Sequence, residues 1–177
     1  MQTESHVLPD VLPVGVCAVI CGTAVGTRSM VIRAYYADST NCFWSVLQQV
    51  GLTPRRLAPS EFATLRESGL GLTDLAKTVS GIDAGLLPGE FNVPAFKGSI
   101  RHCRAKIIAF NGKKAARVFY GISSRVPLAY GVGPPVPEFP QIFVLPSTSG
   151  NARRWWDLKP WQKFADRVMA ERCKSVG

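Results

Sequence analysis

The chain has 177 residues, enough for one domain with a sizeable core and few for two well-packed ones. Twenty-one Lys and Arg against 12 Asp and Glu leave a net charge of +9, which points to a polyanionic partner, nucleic acid first; a merely solvated basic surface is the competing reading. Five cysteines without a CxxC pair argue against a metal site, an iron–sulfur site or a disulfide framework, and no apolar run reaches membrane-spanning length. A reduced cytoplasmic setting, no cofactor and no membrane contact are expected.

Residues 1–13 mix polar side chains with Pro9 and Pro13 and read as a flexible lead-in to a single domain over 14–177. The run Val16-Cys17-Ala18-Val19-Ile20 predicts a buried strand. It breaks at Cys21-Gly22-Thr23-Ala24-Val25-Gly26, where two glycines bracket small residues, and a polar loop is expected from there to Tyr35-Tyr36-Ala37-Asp38. Asn41 is a good N-cap for a helix that puts Phe43, Trp44, Val46, Leu47 and Val50 on one side and ends at Gly51. Ser60 predicts the start of a shorter helix to about Glu67, and residues 69–75 a short strand whose end presents Asp74.

Residues 81–93 read as an exposed connection and 94–104 as a helix. A third strand, Ala105-Lys106-Ile107-Ile108-Ala109-Phe110, ends at Asn111-Gly112-Lys113-Lys114 and runs into a helix carrying Ala115, Ala116, Val118 and Phe119. That helix start is a phosphate seat or simply a helix start with surface lysines. Residues 126–140 hold five prolines and read as an irregular ordered loop. The fourth strand is Gln141-Ile142-Phe143-Val144-Leu145, and Trp161, Phe164, Ala165, Val168 and Met169 mark an amphipathic C-terminal helix. Trp155 and Trp156 are expected to pack that helix against the sheet. Alternating strands and helices imply a three-layer α/β/α fold around a central, mostly parallel four-stranded sheet.

Four strand ends thus converge on one edge, the place where open α/β sheets bind ligands. They bring together a carboxylate, an aromatic platform and a basic rim, which suits a nucleobase taken out of its stack. His6 and His102 both lie away from these ends, so histidine acid–base chemistry is not expected.

The quoted segments resemble the uracil-DNA glycosylase superfamily, most closely its mismatch-specific uracil/thymine branch. Gly22-Thr23-Ala24-Val25-Gly26 and Asn41-Cys42-Phe43-Trp44 match that branch's GINPG strand end and N-x-F-W helix start in order and spacing. The family's serine falls on Ser29 and its base-stacking aromatic on Tyr36. Its pyrimidine-contacting position falls on Asp74, and residues 108–113, with Asn111, are similar to the strand and turn of thymine-processing members. Pro146-Ser147-Thr148-Ser149-Gly150 matches the second motif, whose following residues wedge into DNA; here these are Asn151, Ala152 and Arg153.

The resemblance implies a base pocket formed by Gly22, Thr23, Ala24, Ser29, Tyr36 and Asn111. It also implies a DNA-facing rim of Lys113, Ser147, Ser149, Gly150, Asn151, Ala152, Arg153 and Arg154. One departure stands out: the family's water-activating asparagine falls on Ala24. Cleaving a base–sugar bond needs charge stabilisation and a placed water more than one dedicated base. Asp74 is therefore the first candidate for that role and Asp38 the second. The expected activity is monofunctional excision of uracil, or of other deaminated bases, from single- or double-stranded DNA by a monomer. A damaged-base binder without catalysis is the alternative that Ala24 leaves open.

Overall fold

The structure, a computed structural model, describes residues 6–81 and 85–174. The strands are β1 (Ala18–Val25), β2 (Leu70–Ser80), β3 (Ile107–Asn111), β4 (Gly131–Val132) and β5 (Gln141–Leu145). The helices are α1 (Thr27–Ile32), α2 (Phe43–Gln49), α3 (Val93–Cys103), α4 (Lys113–Tyr120) and α5 (Lys159–Lys174). The strands form one sheet in the order β2-β1-β3-β5-β4, parallel throughout except for β4. β4 is the fifth strand, an antiparallel edge two residues long inside the proline-rich loop; so short a segment carries no alternating pattern to read.

Successive strand residues face opposite sides, and the sheet sorts its apolar side chains accordingly. Ile20, Leu72, Ala109 and Phe143 pack against Phe43, Leu47, Trp161 and Phe164 of α2 and α5. Val19, Leu75, Ile108 and Val144 pack against Phe96, Ile100 and Phe119 of α3 and α4. The result is the three-layer α/β/α arrangement. Burying each large apolar side chain contributes on the order of 1.5–3 kcal/mol. Two indoles also act as fasteners: Trp44 Nε1–H donates to the Tyr35 carbonyl (3.1 Å) and Trp161 Nε1–H to the Pro146 carbonyl (3.0 Å). Each core helix thereby anchors a loop that leads to the cleft described below.

Several elements depart from the sequence expectation. The segment after Gly22 is not a loop: β1 continues to Val25, and α1 follows at Thr27. β2 runs eleven residues, so Asp74 stands mid-strand and not at a strand end. Ser60 does not cap its segment. A 3-10 helix, Pro59–Ser68, starts one residue earlier, where Glu61 Oε2 accepts the Ala58 backbone N–H (2.8 Å). α2 begins at Phe43, with Asn41 Oδ1 accepting the Phe43 N–H (3.0 Å).

The start of the expected lead-in, residues 1–5, lies outside the described residues. The rest of it is not loose. Val11 and Leu72 form an antiparallel bridge, Leu8 is buried, and Asp10 is ion-paired with Lys77. The apolar contacts of Leu8 and Val11 outweigh the local signal of Pro9 and Pro13.

Candidate functional site

The parallel strands do not stop together. β1 and β3 pair only as far as Cys21 and Phe110, whereas β1 and β2 continue to Val25 and Ser80. The β1–β2 ribbon overhangs the sheet and forms one wall of a cleft of about 550 Å³. The opposite wall is residues 147–152, which follow β5, and the third side is the segment from Tyr35 to Asn41. Binding at the carboxyl edge of a parallel sheet is the general rule for open α/β folds.

Three residues at one level form the floor. Asp74 pairs in register with Gly22, and Asn111 is the last residue of β3. By strand alternation all three face the α2/α5 layer, as Leu72, Ile20 and Ala109 do. Gly22 leaves the central position empty, and Asp74 fills the space: a Cβ at Gly22 would lie 2.3 Å from Asp74 Oδ1 and 3.4 Å from the Tyr36 hydroxyl. Asp74 is only 3% exposed yet lines the cleft. β-pairing, not a loop, fixes its position.

Asn111 is held on both ends of its amide. Its Nδ2 donates to Thr148 Oγ1 (2.8 Å), and the Thr148 backbone N–H donates to its Oδ1 (3.0 Å). The end of β3 is thus bolted to the loop after β5. That loop is fastened again where the Cys42 backbone N–H donates to the Thr148 carbonyl (3.0 Å). Gly150 packs so closely on Thr40 that a Cβ there would meet Thr40 Oγ1 at 2.3 Å.

Tyr36 leans into this frame from the α2 side. One ring face stacks on Phe43 with centroids 3.9 Å apart and planes 24° off parallel. Its φ of +53° is left-handed, which costs a non-glycine residue about 1–2 kcal/mol. The Phe43 stack and the Trp44 bond to Tyr35 offset that cost. Burial pushes the Tyr36 phenol well above its ordinary pKa; the Asp74 charge adds to this, and the polar Asn111 side chain nearby opposes it. Tyr36, Asp74 and Asn111 therefore form one polar group on the cleft floor.

The remaining sequence candidates divide. Thr23, Ala24, Ser29, Asp38, Ser147, Ser149, Gly150, Asn151 and Ala152 all line the cleft. Ala24 presents only a methyl group. Ser29 Oγ accepts the Ala37 backbone N–H (3.0 Å), a bond that holds the Tyr36 turn closed. Asp38 is exposed, and its Oδ1 accepts the Thr40 backbone N–H (2.8 Å) and hydroxyl, which holds its carboxyl below the usual range.

Lys113 is not brought to the cleft: its ammonium sits 4.2 Å from the Tyr130 ring centroid. Arg153 and Arg154 stand exposed on the 3-10 helix Gly150–Trp155, beyond the lining residues. Trp155 does not pack the last helix as expected but is exposed beside them, whereas Trp156 is half-buried against the α2/α5 core. Tyr35, expected with Tyr36 as a flat surface of this edge, also lines the cleft. Thr40, Thr148 and Arg28 line it too and were not singled out from sequence, and only the motif position of Thr148 could have pointed to it.

A solution structure of a Methanosarcina acetivorans protein, described as a candidate uracil DNA glycosylase, superposes with a TM-score of 0.63. It matches over 94% of this chain and 98% of its own at 22% identity, and so shares the fold. The model of the uracil DNA glycosylase superfamily matches residues 9–167, a span that includes every wall of the cleft. The chain belongs to the uracil DNA glycosylase superfamily.

Proposed function

We propose that the protein is a monofunctional DNA glycosylase that receives uracil, or another deaminated base, flipped out of DNA into this cleft and hydrolyses its bond to the sugar. An abasic site is left for base excision repair. The observation that carries this reading is Asp74, a buried carboxylate on the cleft floor of a chain whose family acts on DNA. In the reaction the C1′–N bond breaks with its electron pair leaving on the base. The sugar passes through an oxocarbenium-like state, and a water oxygen forms the new C1′–O bond. Asp74 orients that water, accepts its proton and opposes the developing positive charge. Tyr36 supplies the surface against which the base lies, and Arg153 and Arg154 meet the phosphates.

Asp38 is less suited to the chemistry, because its carboxylate is already engaged by Thr40 and stands in water. Among the described residues, those lining the cleft include no lysine, which supports hydrolysis without a Schiff base and hence without strand cleavage. Ala24 favours a second reading, a damaged-base binder that releases nothing. One experiment separates the two: incubation with a uracil-containing oligonucleotide, then hot alkali. Cleavage at the uracil supports the glycosylase. An intact strand at high protein excess, with affinity for uracil-containing DNA retained, supports the binder.

A further inference from the structure

Four tryptophans divide into three that serve the core and one that does not. Trp44 and Trp161 are buried with their indole N–H groups bonded to carbonyls, and Trp156 is half-buried. Trp155 is 57% exposed. It closes the 3-10 helix Gly150–Trp155, which starts from a serine cap, Ser149 Oγ accepting the Asn151 N–H (3.4 Å). With three residues per turn, position 155 stands directly one turn beyond Ala152, a cleft-lining residue. At about 2 Å rise per residue the separation is roughly 6 Å. That is the reach of a neighbouring nucleotide, since stacked bases lie about 3.4 Å apart and splayed ones further.

The surroundings of the indole select the occupant. The Arg154 guanidinium carbon lies 4.8 Å from its ring centroid, and Arg153 is exposed alongside. An apolar protein surface laid over Trp155 would strip water from two arginines without pairing them, which is costly. A nucleic-acid strand offers a base for the indole and phosphates for both guanidinium groups, and it matches the +9 charge of the chain.

We propose that Trp155 is a stacking platform for a base flanking the excised nucleotide, with Arg153 and Arg154 on the adjoining phosphates, so that the protein grips a single strand beside the cleft. The proposal rests on the reading that the cleft takes a base from DNA.

The test uses a short single-stranded oligonucleotide without uracil, so that binding is read apart from excision. Indole fluorescence and affinity are measured for the wild type, Trp155→Ala and Trp155→Phe, with melting temperatures confirming that all three fold. Stacking predicts quenching in the wild type that is lost in both variants. It predicts affinity about tenfold or more weaker in Trp155→Ala and largely kept in Trp155→Phe, whose ring still stacks. Undiminished affinity in Trp155→Ala, or quenching that persists there, overturns the proposal. A protein that quenches with this strand but never releases uracil contradicts the glycosylase reading and leaves the platform standing. One that releases uracil while Trp155→Ala binds normally does the reverse.

Discussion

Gly22 and Asp74 sit in register across the β1–β2 ladder with no room for a side chain between them: a Cβ on Gly22 would meet Asp74 Oδ1 at 2.3 Å. Gly22→Ala must therefore displace the carboxylate. Overpacking of this kind costs about 1–3 kcal/mol of stability. We expect Gly22→Ala to remain folded at 25 °C but to lose most of its uracil excision, measured as single-turnover release. Wild-type rates in that variant would separate Asp74 from the chemistry.

Asp74→Asn keeps the shape of the floor and removes the charge. If Asp74 positions and deprotonates water, single-turnover excision falls by about 10²–10⁴. DNA affinity, set mainly by phosphate contacts, stays close to wild type. Asp38→Ala is expected to lose far less, because Thr40 holds that carboxylate in the 38–41 turn. Equal losses in the two variants would move the role toward the exposed carboxylate.

Removing the Asn111 amide should be felt as stability before chemistry. Asn111→Ala breaks both bonds to Thr148 and leaves buried groups on Thr148 unpaired. The cost is about 1–3 kcal/mol per unsatisfied group, read as a fall in denaturation midpoint. The loop that closes the cleft would be released at the same time, so Asn111→Ala should also raise KM for uracil-containing DNA.

Glu171 on α5 provides a pH-dependent prediction away from the cleft. Arg167 and Lys174, with Lys106 also in reach, hold its carboxyl down to about 2 from an ordinary 4.5. Because the folded-state value is depressed, the contribution of Glu171 is fully present above about pH 4.5 and is lost as pH falls toward about 2. The melting-temperature gap between wild type and Glu171→Gln should be widest at neutral pH and close on acidification. A gap that widens as pH falls would contradict this assignment.

Much of this architecture follows from residue order alone. The strand at 141–145, the apolar spacing from Trp161 to Val168 and the glycine closing α2 each report contacts or backbone demands within a few residues, so periodicity and turn chemistry expose them. The two-glycine segment at 22–26 likewise marked the cleft. Four features were decided only by tertiary structure: the antiparallel β4 edge, the α1 helix, the mid-strand setting of Asp74 and the exposure of Trp155. Asp74 becomes a floor residue because β3 and β5 stop where β1 and β2 continue, and relative strand length is a property of partners distant in sequence. Trp155 and Trp156 are the same residue type side by side, and only the 3-10 helix turns one toward solvent and the other inward. Local pattern determines which side chains want burial. Which of them find a neighbour is settled by the register of the sheet.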